Sequence, residues 1–430
     1  MRLCIEGAHL FNPASQADRI CNVLVEDGII ASIQESGRGG NGKKADLTID
    51  ARGKYLFPGF IDMHVHLRDP GQTHKEDIES GTRAAAAGGF TEILAMPNVK
   101  PPADNPELLR DVESRADQAG FCRVHQVGAI TKGMKGEELS DLEEMQKAGM
   151  IAVSEDGKSV MNSALVRHAM QFLRPYGIPI LAHCEDIRLV EGGVMNAGRR
   201  AKQLGLPGIT NAVENIIEAR DIMLAEETGA KLHLCHCSTK ESAEMLRIAK
   251  KKGIAVTGEV CPHHFLLTED DIPGAEDANY KMNPPLRTEE DRKTLAAGLS
   301  DGTFDVISTD HAPHTKEEKA GGFLNAPFGI VGLETSAALV YTELVKKNIL
   351  TPMQMAEKMS ANPARILGLM SGDVSVGKRA DLTLFDPNET YRISPEEFVG
   401  KGKNMPYGGR QVTGRVVLTV CGGKITYSRR

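Results

Sequence analysis

The sequence predicts an α/β protein in which a TIM-like (β/α)8 barrel is joined to a small β-sandwich domain built from both termini. Two observations predict this fold class. Apolar strand-like segments alternate with helical segments through the middle of the 430-residue chain, and this alternation is typical of parallel βαβ units. The two ends of the chain contain short strand-like segments separated by glycine turns instead.

The terminal strands are predicted at residues 22–33, 47–59, 380–386 and 414–427, where Asp-Gly and Gly-Gly pairs mark tight turns. The simplest assembly of these segments is one small domain that encloses the rest of the chain in sequence. We therefore expect residues 1–58 and 370–430 to form the small domain, and residues 59–369 to form the barrel.

Eight apolar segments are predicted to be the barrel strands, and helical patterns separate most of them. They span 60–67, 91–97, 123–130, 150–156, 178–184, 231–237, 255–261 and 305–311. Residues 211–229 have helical apolar spacing, and Ser238 with Glu241 predicts a capping box for the helix that follows the sixth strand. That helix is expected to end at Lys252 and Gly253.

Composition excludes several classes of function. The net charge is −7 and no long block of Lys or Arg indicates a nucleic-acid partner. No apolar run reaches the ~18 residues that a membrane span needs, and the first residues do not resemble a secretory signal. The eight cysteines are scattered, which favours reduced thiols and a cytoplasmic protein.

The stretch GFIDMHVHLRDPG, residues 59–71, predicts a metal site with an anionic ligand beside it. In a β-strand, alternate residues point to the same face, so His64, His66 and Arg68 would share one space. A packed core has little use for two imidazoles and a guanidinium. Imidazole nitrogens bind divalent metals, and a guanidinium binds carboxylates.

Further polar residues follow the other predicted strands, at the rim where a barrel has its active site. They are Asn98, Asp156, His183, His236, Asp310 and His314. Imidazole and carboxylate ligands together favour zinc or a similar divalent ion. Asp156 is the favoured bridging carboxylate, with Glu155 and a carbamylated Lys158 as the alternatives. Cys235 and Cys237 are expected to be buried thiols that face away from His236.

The chain resembles the amidohydrolase superfamily and, more closely, bacterial dihydroorotases of class I. The resemblance covers nearly the whole length, and HLRDPG, MNPPLR and TDHAPHT are its most specific motifs. The matching stretches are PGFIDMHVHLRDPG (58–71), MPN (96–98), SEDG (154–157), AHCED (182–186), HCS (236–238), KMNPPLR (281–287), STDHAPHT (308–315) and NAPFGIVGLET (325–335). Glu155 departs from the Asp that many relatives have at its position.

The resemblance implies reversible interconversion of dihydroorotate and N-carbamoyl-L-aspartate in pyrimidine (UMP) biosynthesis. It implies one or two zinc ions, with two favoured. His64, His66 and Asp310 would hold one ion, His183 and His236 would hold the second, and Asp156 would bridge them. A metal-activated hydroxide would attack the cyclic amide, with Asp310 as general base and then general acid.

The resemblance also implies the substrate contacts. Arg68, Asn98 and His314 would hold the substrate carboxylate, with His66 beside it, while Asn283, Phe328 and Gly329 would contact the ring. Residues 311–332 are expected to form a loop that covers the substrate, with Gly321 and Gly322 as hinges.

Two other functions stay open at this point. One is a hydantoinase, dihydropyrimidinase or allantoinase, whose substrates lack the extra carboxylate. The other is a non-catalytic dihydroorotase-like partner of aspartate transcarbamoylase. A homodimer and an association with aspartate transcarbamoylase are expected from the habits of the family.

Overall fold

The computed structural model describes residues 2–35 and 45–429. Met1, residues 36–44 of the predicted small domain, and Arg430 lie outside the described residues. The strands are β1 Arg2–Asn12, β2 Ala17–Glu26, β3 Ile29–Glu35, β4 Leu47–Asp50, β5 Tyr55–Pro58, β6 Phe60–Val65, β7 Phe90–Ala95, β8 Arg123–Gln126, β9 Gly128–Ala129, β10 Val153–Ser154, β11 Ile180–Ala182, β12 Met195–Asn196, β13 Gly208–Ile209, β14 Leu232–Leu234, β15 Val256–Val260, β16 Val306–Ile307, β17 Leu382–Arg392, β18 Gln411–Cys421 and β19 Lys424–Ser428.

The α-helices occupy the segments between the central strands and the region before β17. They are α1 Ile78–Ala87, α2 Pro106–Ala119, α3 Leu142–Lys147, α4 Ser163–Leu173, α5 Arg199–Leu204, α6 Asn211–Thr228, α7 Lys240–Lys251, α8 Pro262–Leu266, α9 Glu289–Ser300, α10 Lys316–Lys319, α11 Gly322–Asn325, α12 Ser336–Val340, α13 Pro352–Ala356 and α14 Asn362–Leu367. Within residues 2–35 and 45–429, none of the helices has an apolar stretch long enough to cross a lipid bilayer.

Both ends of the chain contribute strands to one eight-stranded sheet, with the order β19-β18-β17-β5-β1-β2-β3 and β4 paired to β1. The pairs are antiparallel, except that β1 runs parallel to β4 and β5. The predicted Asp-Gly and Gly-Gly turns separate β2 from β3 and β18 from β19. The terminal strands were therefore located correctly, while their arrangement as a sandwich stays a prediction.

The central strands are parallel and follow the chain order. One sheet contains β6, β7 and β8, and a second runs from β9 through β10, β11, β14 and β15 to β16. Only Val127 separates β8 from β9 along the chain. At the other side, an isolated parallel bridge joins Val65 to His311, and the amide of His66 donates to the carbonyl of His311 over 2.8 Å. Each of the eight segments predicted to be a barrel strand contains a strand.

The cap of α7 differs from the prediction by one residue. Thr239 is the N-cap, and its side chain accepts from the amide of Ser242. The Ser238 hydroxyl is taken instead by the buried carboxylate of Glu214, which also accepts from the Ser238 amide over 2.7 Å. The predicted end is confirmed, because α7 stops before Lys252 and Gly253 follows with φ +77°.

An ion-pair network joins the parallel strands to the segment that leads into β17. Glu92 on β7 is 1% exposed and lies 2.6 Å from both Arg123 on β8 and Arg379. Asp381 pairs with the same two guanidinium groups at 2.6 and 2.7 Å. Burial raises the pKa of Glu92, but His125 and Arg123 outweigh it and hold that pKa at about 2.

Replacing Glu92 by Gln should lower the free energy of unfolding by about 3 kcal/mol, because two guanidinium groups lose a buried partner. Urea unfolding measures this change. The contribution of Glu92 to the free energy of unfolding is present above its unfolded pKa of 4.5 and is lost as pH falls towards about 2. The difference in unfolding free energy between the wild type and Glu92→Gln should therefore become smaller in acid. The matched control is Glu143→Gln, which removes only an exposed ion pair with Lys147. Equal effects of the two substitutions would contradict the prediction.

Candidate active site

The residues predicted at the strand ends meet at one edge of the parallel strands. His64 lies in β6, and His66 follows this strand directly. The other four side chains come within three residues after the ends of their strands: Asp156 after β10, His183 after β11, His236 after β14 and Asp310 after β16. Because parallel strands end at the same edge, this order brings together residues that are far apart in sequence.

Asp156 lies at the centre of this group, which we call the histidine cluster: His64, His66, Asp156, His183, His236 and Asp310. Its Oδ1 is 3.2 Å from His64 Nε2, 3.3 Å from His183 Nδ1 and 3.5 Å from His236 Nε2. Its Oδ2 is 3.4 Å from His66 Nε2. Four imidazoles from three different parts of the chain therefore surround one buried carboxylate.

Asp310 forms the second carboxylate of the cluster. Its Oδ1 lies 3.2 Å from His66 Nε2 and 3.6 Å from His64 Nε2. The ligand atoms of His64, His66 and Asp310 all lie within 4.8 Å of one another, and the same holds for His64, Asp156 and His236. The cluster thus contains two overlapping sets of donors.

The charges of the cluster are strongly coupled. Burial raises the pKa of Asp156, but His64 and the other imidazoles outweigh this effect and hold that pKa well below its usual range. Burial lowers the pKa of His183, but Asp156 and Glu185 raise it to about 10. A carboxylate held ionised among nitrogen donors has the electrostatics of a cation site.

The donor atoms fit a divalent metal. His64 Nε2, Asp156 Oδ1 and His236 Nδ1 are buried without a hydrogen-bond partner among residues 2–35 and 45–429. Such orphaned polar atoms are rare in native interiors and call for a ligand or a structural reason. Neutral imidazole nitrogens with carboxylate oxygens are the donor set that suits zinc and related ions.

The sequence analysis missed Glu259, a buried carboxylate on β15 that supports the cluster. Its Oε1 accepts from His64 Nδ1 over 2.9 Å and from the amide of His236 over 3.1 Å. Its Oε2 accepts from the Ser308 hydroxyl over 2.6 Å and lies 3.1 Å from His233 Nε2. Because Glu259 holds Nδ1 of His64, the ring is oriented with Nε2 towards Asp156. An acidic residue within an apolar strand was the one signal available in the sequence.

Two further contacts fix the other imidazoles. Asn98 Oδ1 lies 2.8 Å from His66 Nδ1, which orients that ring. Glu185 Oε2 lies 3.1 Å from His183 Nε2, while its Oε1 accepts from Asn283 Nδ2 over 2.9 Å. Asn98 and Asn283 were predicted as substrate contacts. In the structure, Asn98 contacts His66 directly, and Asn283 contacts Glu185, the partner of His183.

Arg68 presents a buried guanidinium beside the cluster. Its backbone has φ +61°, so the β6 alternation has already ended there. Its Nε donates to the carbonyl of Pro313 over 3.3 Å, and it forms no ion pair with any carboxylate in the described part of the chain. Asp69, a candidate partner, pairs with Arg115 at 2.8 Å instead. Burial lowers the pKa of Arg68 to about 10, so the group stays charged at neutral pH.

His314 lies against Arg68 and is held as a neutral ring. Its Nε2 donates to the carbonyl of Phe328 over 2.8 Å, and its Nδ1 accepts from Lys75 Nζ over 3.2 Å. Burial and the neighbouring Arg68 lower the pKa of His314 to about 3.

A cavity of about 180 Å³ brings eleven of the twelve predicted site residues together. The twelfth, His64, is fully buried against the cluster. The eleven are His66, Arg68, Asn98, Asp156, His183, His236, Asn283, Asp310, His314, Phe328 and Gly329.

The alternatives to Asp156 lie elsewhere. Glu155 points to Thr131, whose amide and hydroxyl donate to its carboxylate, and Lys158 is exposed. Cys235 and Cys237 are buried free thiols, as expected, but Cys235 lies within 4.8 Å of ligand atoms of His64 and Glu259. His236, the next residue, has φ +35°, so the strand alternation has ended there.

Comparison with known proteins identifies what this chain is similar to. Residues 53–242 match the family model described as dihydro-orotase-like. The chain is 48% identical over 432 residues to a dihydroorotase from Ligilactobacillus salivarius, covering 100% of this chain and 99% of the relative. It is 45% identical over 430 residues to one from Pelotomaculum thermopropionicum, with the same coverage. Among solved structures, an L-hydantoinase (dihydropyrimidinase) from Arthrobacter aurescens matches with a TM-score of 0.86 at 26% identity, over 99% of this chain and 96% of that one.

Replacing Glu259 by Gln should weaken the binding of a divalent ion by about 10- to 100-fold, because His64 loses the carboxylate that orients it. Competition with a chromophoric chelator measures the affinity. Glu92→Gln is the matched control, since it removes a buried carboxylate that is not in the cluster. Unchanged affinity in Glu259→Gln would show that the carboxylate does not support the site.

Proposed function

This chain belongs to the dihydroorotase family, and on that premise we propose that it interconverts dihydroorotate and N-carbamoyl-L-aspartate in pyrimidine biosynthesis. The observation that carries the proposal is Arg68. Its buried guanidinium lines the cavity of the histidine cluster and has no carboxylate partner in residues 2–35 and 45–429. Dihydroorotate has a carboxylate outside its reacting ring, and an arginine can bind it through two parallel hydrogen bonds.

The proposed architecture is that of a class I enzyme. The parallel order of β6 to β16 and the bridge between Val65 and His311 support closure into a (β/α)8 barrel over residues 59–369. The shared sheet of the terminal strands supports a second domain formed by residues 1–58 and 370–430. A barrel places its active site at the carboxyl ends of the strands, where the histidine cluster lies.

The proposed metal is zinc, with two ions favoured over one. His64, His66 and Asp310 would hold one ion, and His183 and His236 would hold the other, with Asp156 between them. When bound, a divalent metal supplies Lewis acidity, which polarises a carbonyl and lowers the pKa of water. The orphaned donor atoms of His64, Asp156 and His236 support this assignment.

Asp310 is the proposed proton carrier. Burial raises its pKa, but His66 and His64 outweigh burial and lower it, so the carboxylate is ionised and able to accept a proton. It would take a proton from the attacking water as the new C–O bond forms. It would then donate that proton to the ring nitrogen as the C–N bond breaks, which yields the ureido group and a carboxylic acid that ionises by releasing its proton to solvent.

The opposite side of the cavity would bind the substrate. Arg68, Asn98 and His314 would hold the carboxylate, with His66 beside it. Asn283, Phe328 and Gly329 would contact the ring. Because His314 is neutral and donates to Phe328, it contributes position and shape here while Arg68 contributes the charge.

A hydantoinase or dihydropyrimidinase activity is the second candidate, because solved structures with those names share the fold. Allantoinase belongs to the same group of neutral-ring enzymes. Their substrates would leave Arg68 without a charged partner. A non-catalytic partner of aspartate transcarbamoylase is the third reading, and the complete set of ligand side chains in the cluster disfavours it. We further propose a cytoplasmic location, a homodimer, and association with aspartate transcarbamoylase.

The deciding assay is hydrolysis of dihydroorotate by the zinc-supplemented protein, followed as loss of the ring's ultraviolet absorbance. Dihydrouracil and hydantoin are assayed alongside, and Asp310→Asn is the blank. Turnover of dihydroorotate alone, absent in the blank, supports the proposal. Turnover of only the neutral rings favours the second candidate, and no turnover despite bound zinc favours a requirement for a partner or a non-catalytic role.

Replacing Arg68 by Met should raise the KM for dihydroorotate by about 100-fold or more, because the substrate carboxylate loses a charge-assisted bidentate contact. Steady-state kinetics measure KM and kcat separately. Arg115→Met is the matched control, since it removes a guanidinium that pairs with Asp69 outside the cavity. A KM that stays at the wild-type value in Arg68→Met would show that Arg68 does not bind the substrate carboxylate.

A further inference from the structure

Phe328 and Gly329 line the active-site cavity, and we call the segment Ala326–Gly329 that contains them the wall. Side chains hold every carbonyl of this segment. Lys281 Nζ donates to the carbonyl of Ala326 over 2.6 Å. Lys319 Nζ donates to those of Pro327 and Gly329 over 3.1 and 2.9 Å. His314 Nε2 donates to the carbonyl of Phe328 over 2.8 Å. Asn404 Nδ2 also donates to the carbonyl of Gly329 over 3.0 Å. Four successive carbonyls are thus fixed by four side chains.

The segment predicted to be a covering loop therefore has internal structure. Residues 311–332 contain α10 and α11, and Lys319 is the last residue of α10. From there its side chain reaches back to the wall and also donates to the carbonyl of Lys281 over 3.2 Å. One ammonium group therefore uses all three of its protons to join two chain segments.

Both lysines are buried without a carboxylate partner. Lys319 is 6% exposed and Lys281 is 4% exposed, and neither forms an ion pair within the described ranges of the chain. Burying an ammonium group is costly unless its protons are hydrogen-bonded. Carbonyl oxygens fill that need here, while the Lys281 ammonium also lies 4.5 Å from the centre of the Phe328 ring.

The wall packs closely against Ala312 and His314. Gly329 has φ +129°, and a Cβ added there would lie 2.7 Å from the Cβ of Ala312 and 3.2 Å from His314 Nε2. The wall, His314 and the neighbouring Arg68 are therefore in close mutual contact, with 3.3 Å between Arg68 Nη2 and His314 Nε2. A shift of the wall would be passed to the two side chains that face the substrate carboxylate.

We propose that Lys319 and Lys281 are positioning residues that fix the Ala326–Gly329 wall and, through it, hold His314 and Arg68 in place for the substrate carboxylate. The role in substrate binding depends on the proposed function, whereas the fixation of the wall does not. Neither ammonium group acts on the substrate itself.

The protonation of Lys319 gives this contact a dependence on pH. Burial and the charge of Lys281 lower its pKa to about 7, with Asp277 acting in the opposite direction. The neighbouring His314, with a pKa of about 3, stays neutral throughout. As pH rises through about 7, Lys319 loses a proton and keeps two N–H groups for three carbonyls. The wild-type KM should therefore rise more steeply above neutral pH than the KM of a variant that lacks this ammonium.

The test compares Lys319→Met with Lys316→Met, an exposed lysine in the same helix. Lys319→Met should raise the KM for dihydroorotate by about 10- to 100-fold, with kcat changed by less than about threefold. Lys281→Met should act in the same direction, and Lys316→Met should match the wild type. An equal loss of kcat and kcat/KM would overturn the positioning role, as would a KM that changes with pH by the same factor in Lys319→Met and the wild type.

Hydrogen exchange of the zinc-loaded proteins without substrate separates this proposal from the function. Amides of residues 326–332 should exchange faster in Lys319→Met than in the wild type, while amides of the central strands should be unchanged. Unchanged exchange in the wall would overturn the proposal even if the enzyme turns over dihydroorotate. Faster exchange in a protein that does not hydrolyse dihydroorotate would support the fixation of the wall and reject the proposed function. General unfolding of Lys319→Met would appear as faster exchange in the central strands. In that case the exchange of residues 326–332 in Lys281→Met tests the proposal.

Discussion

The site depends on one buried carboxylate, Asp156, among four imidazoles. Taking an ionised carboxylate out of water costs several kcal/mol unless charges or donors replace the lost hydration. His64, His66, His183 and His236 replace it at 3.2 to 3.5 Å. These imidazoles come from β6 and from the ends of β11 and β14, while Asp156 follows β10. The cluster can therefore form only when strands far apart in sequence end at the same edge.

The same constraint explains the layer of polar side chains around the cluster. Each imidazole directs one nitrogen towards Asp156, and in three of the four rings a partner on the other nitrogen fixes the orientation. Glu259 fills that role for His64, Asn98 for His66, and Glu185 for His183. Because Glu259 also accepts from the amide of His236, one carboxylate supports two members of the cluster. Orientation of the donors is thus fixed by the fold.

Strand periodicity and strand order made much of the site predictable from the sequence. Alternation predicted that His64, in β6, and His66, just after it, share one space, and the structure brings both to Asp156. The polar residues after the other strands meet them there. The same argument reached the right place for Arg68 through a wrong step. Its φ of +61° shows that the strand has ended, so the bend of the chain, and not alternation, directs its side chain to the cavity. His236 and Asp310 likewise have positive φ, which a periodic pattern cannot predict.

What could not be predicted depends on contacts between distant parts of the chain. Glu259 and Glu185 look like ordinary acidic residues until the fold brings imidazoles to them. Ser238 fits a capping box by its spacing, but Glu214, 24 positions earlier, takes its hydroxyl and moves the cap to Thr239. Lys319 and Lys281 resemble exposed lysines in sequence, and their burial follows from a wall of carbonyls that forms only in the folded chain. Sequence patterns reflect interactions between residues that are near in sequence. The roles of these residues depend instead on partners that are distant in sequence.

The two sides of the cavity differ in charge, and under the proposed function this difference would account for selectivity. One side carries carboxylates and imidazoles, and the other carries the guanidinium of Arg68, which stays charged although it is buried. A ring without a carboxylate would leave that guanidinium desolvated and unpaired. The free-energy cost of an unpaired buried charge is larger than the net gain from a paired one. Under the proposed function, selectivity against neutral rings would thus arise mainly from the cost of a poor fit. That cost would persist only while Arg68 cannot turn away, and by our proposal His314 and the wall held by Lys319 and Lys281 keep it at the cavity.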